Sequence, residues 1–177
     1  MADRRPIQQA HERTFVEHFL EWFNRTHRCG FHVIEEPNPP EAVISTTRTT
    51  RWVEVTTAFW NQAYARDLYS YATPGEEHKP IGKGPCRGMD QEFAKSFVSV
   101  LKKKLEKRSY VPWRDRFGPG YLIVPIKHPW FDRMAVQEMK EVWKTSVVTD
   151  IGCFRSVYIA FPSLGNIRFY RWPIKSV

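Results

Sequence analysis

The sequence predicts an α/β fold, more closely an α+β mixed sheet with helices on its faces, and three observations predict it. Amphipathic runs with helical spacing at 6–27, 89–109 and 131–143 alternate with short β-branched and aromatic runs. Three of the β-type runs follow one another with only tight connections, which suits an antiparallel meander packed on the first helix. Residues 121–126, Tyr-Leu-Ile-Val-Pro-Ile, form the continuous apolar run of a strand covered on both faces. The expected order is α-β-β-β-α-β-α-β-β, a C-terminal helix and hairpin following an αβββαβ core. At 177 residues the chain fits a single domain with length enough to bury a core.

The first helix has Pro6 in its first turn and Gly30 beyond its end. Phe15, Val16, Phe19, Trp22 and Phe23 fall on one stripe, with Glu17 and Glu21 on the solvated side. Glu12 lies near the centre of the apolar stripe, so it either sits at an exposed helix start or is aimed into a site. Residues 31–34 suit a first strand, ended by Glu35-Glu36-Pro37-Asn38-Pro39-Pro40, and 42–45 a second. The TTRTTR segment turns into a third strand over 52–59. The glycine- and proline-rich stretch 74–88 reads as a loop carrying Lys79, Lys83 and Arg87; its Gly82-Lys83-Gly84 lacks the spacing and the following Ser or Thr of a phosphate loop.

In the second helix Phe93, Ala94, Phe97, Val98, Leu101 and Leu105 make the apolar face. Lys102 and Lys103 point away from it, Lys104 lies near its centre and Lys107 on its flank. A lysine so placed either snorkels to solvent or serves a site. The third helix carries a stripe of Phe131, Ala135, Met139 and Val142, and 155–161 with 167–172 form a terminal hairpin.

Hydrophobic residues at 42% and aromatics at 15%, with a net charge of +8 and pI near 9.5, describe a folded basic protein that favours polyanions, nucleic acid first. No apolar run approaches the ~20 residues of a membrane span. The opening MADRRPIQQAHER lacks a signal-peptide core, so the chain is expected to be cytoplasmic and without a membrane partner. Cys29, Cys86 and Cys153 are odd in number and widely spaced, which speaks against a disulfide framework; His27, Cys29 and His32 lack a fourth zinc ligand at a recognised spacing.

The chemistry centres on 39–57, PPEAVISTTRTTRWVEVTT. In a strand, Val53 and Val55 face one way and Glu54 and Thr56 the other. A carboxylate in such a strand requires solvent, a partner or a metal, because burying it alone costs roughly 2 kcal/mol or more. Glu41, just before the second strand, is the candidate companion.

Pro40-Glu41, Glu54-Val55-Thr56 and the inward Glu12 together resemble the PD-(D/E)XK nuclease superfamily, the restriction-endonuclease-like fold. The resemblance covers about residues 6–127, with 128–177 as a C-terminal extension. It implies that Glu41 and Glu54 hold Mg²⁺ or Mn²⁺ and that Glu12 is a supporting acid. Two positions depart from the pattern: Glu41 replaces the more usual Asp, and Thr56 replaces the motif lysine. Some members supply that lysine from the following helix, which makes Lys104 the catalytic candidate and Lys107 the reserve. The implied activity is divalent-metal-dependent hydrolysis of DNA, favoured over RNA, with Arg48, Arg51, Lys79, Lys83, Arg87 and Lys107 contacting phosphates. The alternative is a catalytically inactive nucleic-acid-binding or regulatory module on the same fold. A third reading is an adaptor for acidic proteins. Oligomeric state stays open, a dimer included.

Overall fold

The computed structural model describes residues 5–82, 88–146, 150–163 and 165–174. Helix α1 (Arg5–His27) is followed by β1 (His32–Glu35), β2 (Ala42–Ser45) and β3 (Thr50–Val55) in an antiparallel meander. Next come β4 (Ala58–Phe59), α2 (Gln62–Ala72), α3 (Met89–Leu105), a 3₁₀ turn (Arg108–Tyr110) and α4 (Val111–Phe117). Strand β5 (Gly120–Lys127), α5 (Arg133–Thr145), β6 (Phe154–Ser163) and β7 (Asn166–Arg171) complete the described elements. The mixed sheet runs β1-β2-β3-β5-β6-β7, with β4 paired to β5 off that path. Strand β5 lies parallel to both β3 and β6, and β6 and β7 form the antiparallel hairpin. The α/β architecture and the order of the expected elements are those read from the sequence.

The sheet separates two apolar layers. On one face α1 buries Phe15, Val16, Phe19 and Phe23 against Val53, Val55, Ile123 and Tyr158. On the other, α3 and α5 bury Phe93, Phe97, Leu101 and Met139 against Trp52, Leu122, Phe154 and Val157. Alternation along β3 therefore turns the valines to α1 and Trp52 and Glu54 to α3. Strand β6 pairs with β5 along most of its length, and Trp172 packs on Phe97. Residues after 127 thus contribute buried side chains to both apolar layers.

Several local expectations differ. The run 52–59 is not one strand: the ladder lapses at Thr56 and Thr57 and resumes in β4 in the same register, Val55 facing Ile123 and Ala58 facing Ile126. The amide of Thr56 still donates to Ile123 at 2.9 Å. Residues 62–72, left without an element by the sequence pattern, form a helix whose Asn61 cap accepts from the Tyr64 amide at 2.8 Å. The helix expected over 89–109 stops at Leu105, whose carbonyl leaves no room for a Cβ at Gly152, which has φ +63°. The chain then bends through the 3₁₀ turn into α4, another helix the periodicity did not mark. Arg51, expected on a connecting turn, lies within β3.

Gly120 faces the Trp52 indole so closely that an added Cβ would meet it at 2.4 Å. Trp52 cannot yield, being fully buried between Tyr110 and Phe154 with its Nε1 donating to the Gly118 carbonyl at 2.9 Å. Gly120→Ala is expected to cost about 2–3 kcal/mol in urea denaturation, the penalty of overpacking a rigid core.

Candidate functional site

Glu54 is 1% exposed on β3, facing the end of α3. Its Oε1 accepts from the Lys104 amine and from the Tyr110 hydroxyl. Lys104 Nζ also donates to the Tyr110 oxygen at 3.2 Å, closing a triangle of charge-assisted bonds. Lys104 reaches inward because it shares the α3 face of Leu101 and Leu105, and Tyr110 arrives because the chain turns back at the 3₁₀ turn. The tyrosine ring is held by stacking on Trp52 at 5.4 Å between centroids and by an edge contact with Phe154. The spacing from Lys104 to Tyr110 was visible in the sequence; the turn that folds one onto the other was not.

Glu41 enters from the opposite strand. Pairing of Ala42 with Val53, continued by one residue, brings Glu41 across from Glu54. Its Oε2 accepts from the Val55 amide at 2.8 Å, and its carboxyl lies within hydrogen-bond reach of Glu54. Glu12 is buried on α1, its Oε1 accepting from Gln8 Nε2 at 2.8 Å. Burial raises the Glu12 pKa, and the charge of Glu54 raises it further. A cavity of about 440 Å³ is lined by Glu12, Glu41, Glu54, Lys104 and Lys107, bringing these five sequence candidates to one place together with Thr56. Phe59 and Tyr69, which the sequence did not single out, line the same cavity.

The expected phosphate contacts scatter. Lys107 is exposed at the cavity, its amine 4.9 Å from the Tyr110 ring. Arg48 is exposed on the β2–β3 turn, six residues from Glu54 and so ~20 Å along the strand. Arg51 Nη1 donates to the carbonyls of Thr50 at 2.8 Å and Phe117 at 3.0 Å, which commits it to tying β3 to α4. Lys79 is exposed beyond α2, with its amide donating to Ser70 Oγ at 2.9 Å. Lys83 and Arg87 lie outside the described residues.

The donor set suits a hard divalent cation. Glu54 Oε2 is buried with no hydrogen-bond partner, and the Glu41 carboxyl beside it is acceptor-only when ionised. Either a proton held by Glu41 or a cation shared by the two carboxylates relieves that contact. Two carboxylates with water completing the shell are an ordinary Mg²⁺ complement. Among the described residues no group of three or more His, Cys, Asp or Glu side chains is disposed to hold a metal ion.

The sequence matches no family model and no curated protein. Among solved structures, SfsA of Pyrococcus furiosus in complex with Ca²⁺ aligns at a TM-score of 0.33 and 14% identity. The alignment covers 86% of this chain and 58% of that one, so the chain spans less than two thirds of SfsA. Among the described residues no helix is long and apolar enough to cross a membrane.

Burial first, and the neighbouring charge of Glu54 second, raise the Glu41 pKa from 4.5 to about 9. Between those values the folded chain binds more protons than the unfolded one. The stabilisation is complete below about pH 4.5 and is lost as pH rises towards 9. In metal-free thermal melts from pH 5 to 9, stability is expected to fall across the window, and Glu41→Gln to flatten the slope. An unchanged slope in that variant would remove Glu41 as its source.

Proposed function

We propose that the protein is a divalent-metal-dependent nuclease of the PD-(D/E)XK type that hydrolyses phosphodiester bonds in DNA. The observation that carries this reading is the buried Glu54 carboxylate, one oxygen fixed by an amine and a phenol and the other without a hydrogen-bond partner, on the same cavity as the Glu41 carboxyl. Glu41 and Glu54 would hold Mg²⁺ or Mn²⁺. When bound, the metal polarises the scissile phosphate and lowers the pKa of a bound water.

The chain's own groups have separable tasks. Lys104 and Tyr110 pin the Glu54 carboxylate through Oε1 and leave Oε2 without a hydrogen-bond partner. The Lys104 amine also brings positive charge to the place where the motif lysine is missing at Thr56, suited to the negative charge that develops on phosphate. Glu12, with its proton affinity raised by burial, is placed to position water at the cavity wall. Lys107 is an exposed cation at the rim, and Arg48 and Lys79 extend the positive surface without touching the cavity. Backbone affinity from such contacts is salt-dependent and largely blind to sequence.

One observation favours the runner-up, an inactive binding module: Lys104 already balances the charge of Glu54 with no metal. Cleavage assays with Mg²⁺ or Mn²⁺ on single-stranded DNA, duplex DNA and RNA separate the two. Glu54→Gln and Lys104→Met are each expected to slow DNA cleavage by about 10²-fold or more. Purified protein that binds DNA in a salt-sensitive way and cleaves nothing with either metal would establish the binding module instead.

Metal binding to this pair is also expected to displace the proton that Glu41 holds. Calorimetric titration with Mn²⁺ at pH 8, in two buffers of different ionisation enthalpy, should report release of close to one proton, lost in Glu41→Gln.

A further inference from the structure

A second recess, of about 400 Å³, opens between the first turns of α3 and α5, away from the carboxylate pair. Asp90, Asp132 and Glu138 line it, and no lysine or arginine does so among the described residues. On a chain of net charge +8 this acidic lining is the exception. Two large apolar side chains stand at the same recess, Trp130 at 67% and Met134 at 58% exposure. Asp132 is engaged, its Oδ1 accepting from the Met134 and Ala135 amides as the cap of α5. Asp90 and Glu138 remain the carboxylates for a ligand.

His128 specifies more. Its side chain is 1% exposed, and it lines the recess with Nε2 3.4 Å from Asp90 Oδ1 but without a hydrogen-bond partner. Its Nδ1 accepts from the Trp130 amide at 3.2 Å, and that bond places the hydrogen of the neutral ring on Nε2. The buried orphan is therefore a donor that requires an acceptor, and a donor N–H has no lone pair for a metal. A bare cation would satisfy the carboxylates and leave Nε2–H unmet. A peptide meets all three demands: a main-chain carbonyl for Nε2–H, a cationic side chain for Asp90 and Glu138, and a flat charged face over the Trp130 ring. Arginine suits the last two together, through its fork and its stacking.

We propose that this recess docks a basic peptide segment of a partner protein, with an arginine side chain between Trp130 and the Asp90 and Glu138 carboxylates. Its test is independent of the carboxylate pair on β3. Fluorescence anisotropy of a short, end-blocked glycine/arginine peptide at moderate salt should give saturable binding to the full chain. Trp130→Ala is expected to weaken binding about threefold to thirtyfold. The double variant Asp90→Asn, Glu138→Gln should abolish it, and the same peptide with citrulline in place of arginine should not bind. Trp130 is exposed and Asp90 and Glu138 are half-buried, and thermal melts matching the unsubstituted chain verify that the fold is kept. Absence of binding, equal binding of the citrulline peptide, or affinities untouched by the variants would each overturn the proposal. So would saturable Ca²⁺ or Mn²⁺ binding that the double variant removes, which would mark a cation site. A dimer in sedimentation equilibrium that Trp130→Ala disperses would make the occupant a second copy, and would equally overturn it.

Discussion

A carboxylate buried on an inner strand sets the terms for the rest of this structure. Glu54 lies inside the apolar sheet, where an unpaired charge costs several kcal/mol, and the chain meets that cost with an amine from α3 and a phenol from the turn after it. Both must arrive on one oxygen. That requires α3 to end near Leu105, the chain to double back over Arg108–Tyr110, and the phenol ring to be clamped by Trp52 and Phe154. Trp52 is held by Gly118 and has room only because position 120 lacks a side chain. A chain of packing contacts thus runs from the start of β5 to the acid that supports the proposed chemistry.

The two faces of the sheet contribute unequal parts to the cavity. The α1 side brings Glu12, backed by Gln8 and set in an apolar stripe, where burial favours its protonated form. The α3 side brings the cation. Between them the two threonines after β3 line the opening instead of extending the ladder. The opening therefore sits at a single break in the sheet, with Lys104 on its wall.

Much of this was legible because it follows from periodicity. Glu12 and Lys104 were conspicuous as charged residues on otherwise apolar helical faces, and such misfits are resolved in the fold only by partners. The meander, the covered strand 120–127 and the closing hairpin followed from β-type runs and short connections. Other features left little periodic trace. Helix α2 carries only one fully buried residue, Ser70, and α4 is one short piece without any. The end of α3 packs against Gly152, nearly fifty residues away, which no local window contains. Arg51 looked like a phosphate ligand because its distant partner, the Phe117 carbonyl at the end of α4, lies outside any local window, and Tyr110 was an ordinary aromatic until the 3₁₀ turn placed it on Glu54.

The close approach of Gly152 to the Leu105 carbonyl bears on how short the protein can become. A fragment ending at residue 127 holds the three acids and the lysine, yet it lacks the glycine against which α3 terminates and Phe154, one side of the Tyr110 clamp. It also lacks β6, leaving β5 as an open edge and the faces of Phe97 and Leu101 uncovered. The minimal autonomous unit is therefore longer than the set of residues that would bind the metal, and deletion from the C-terminal side would disorganise the lysine before it removed any ligand.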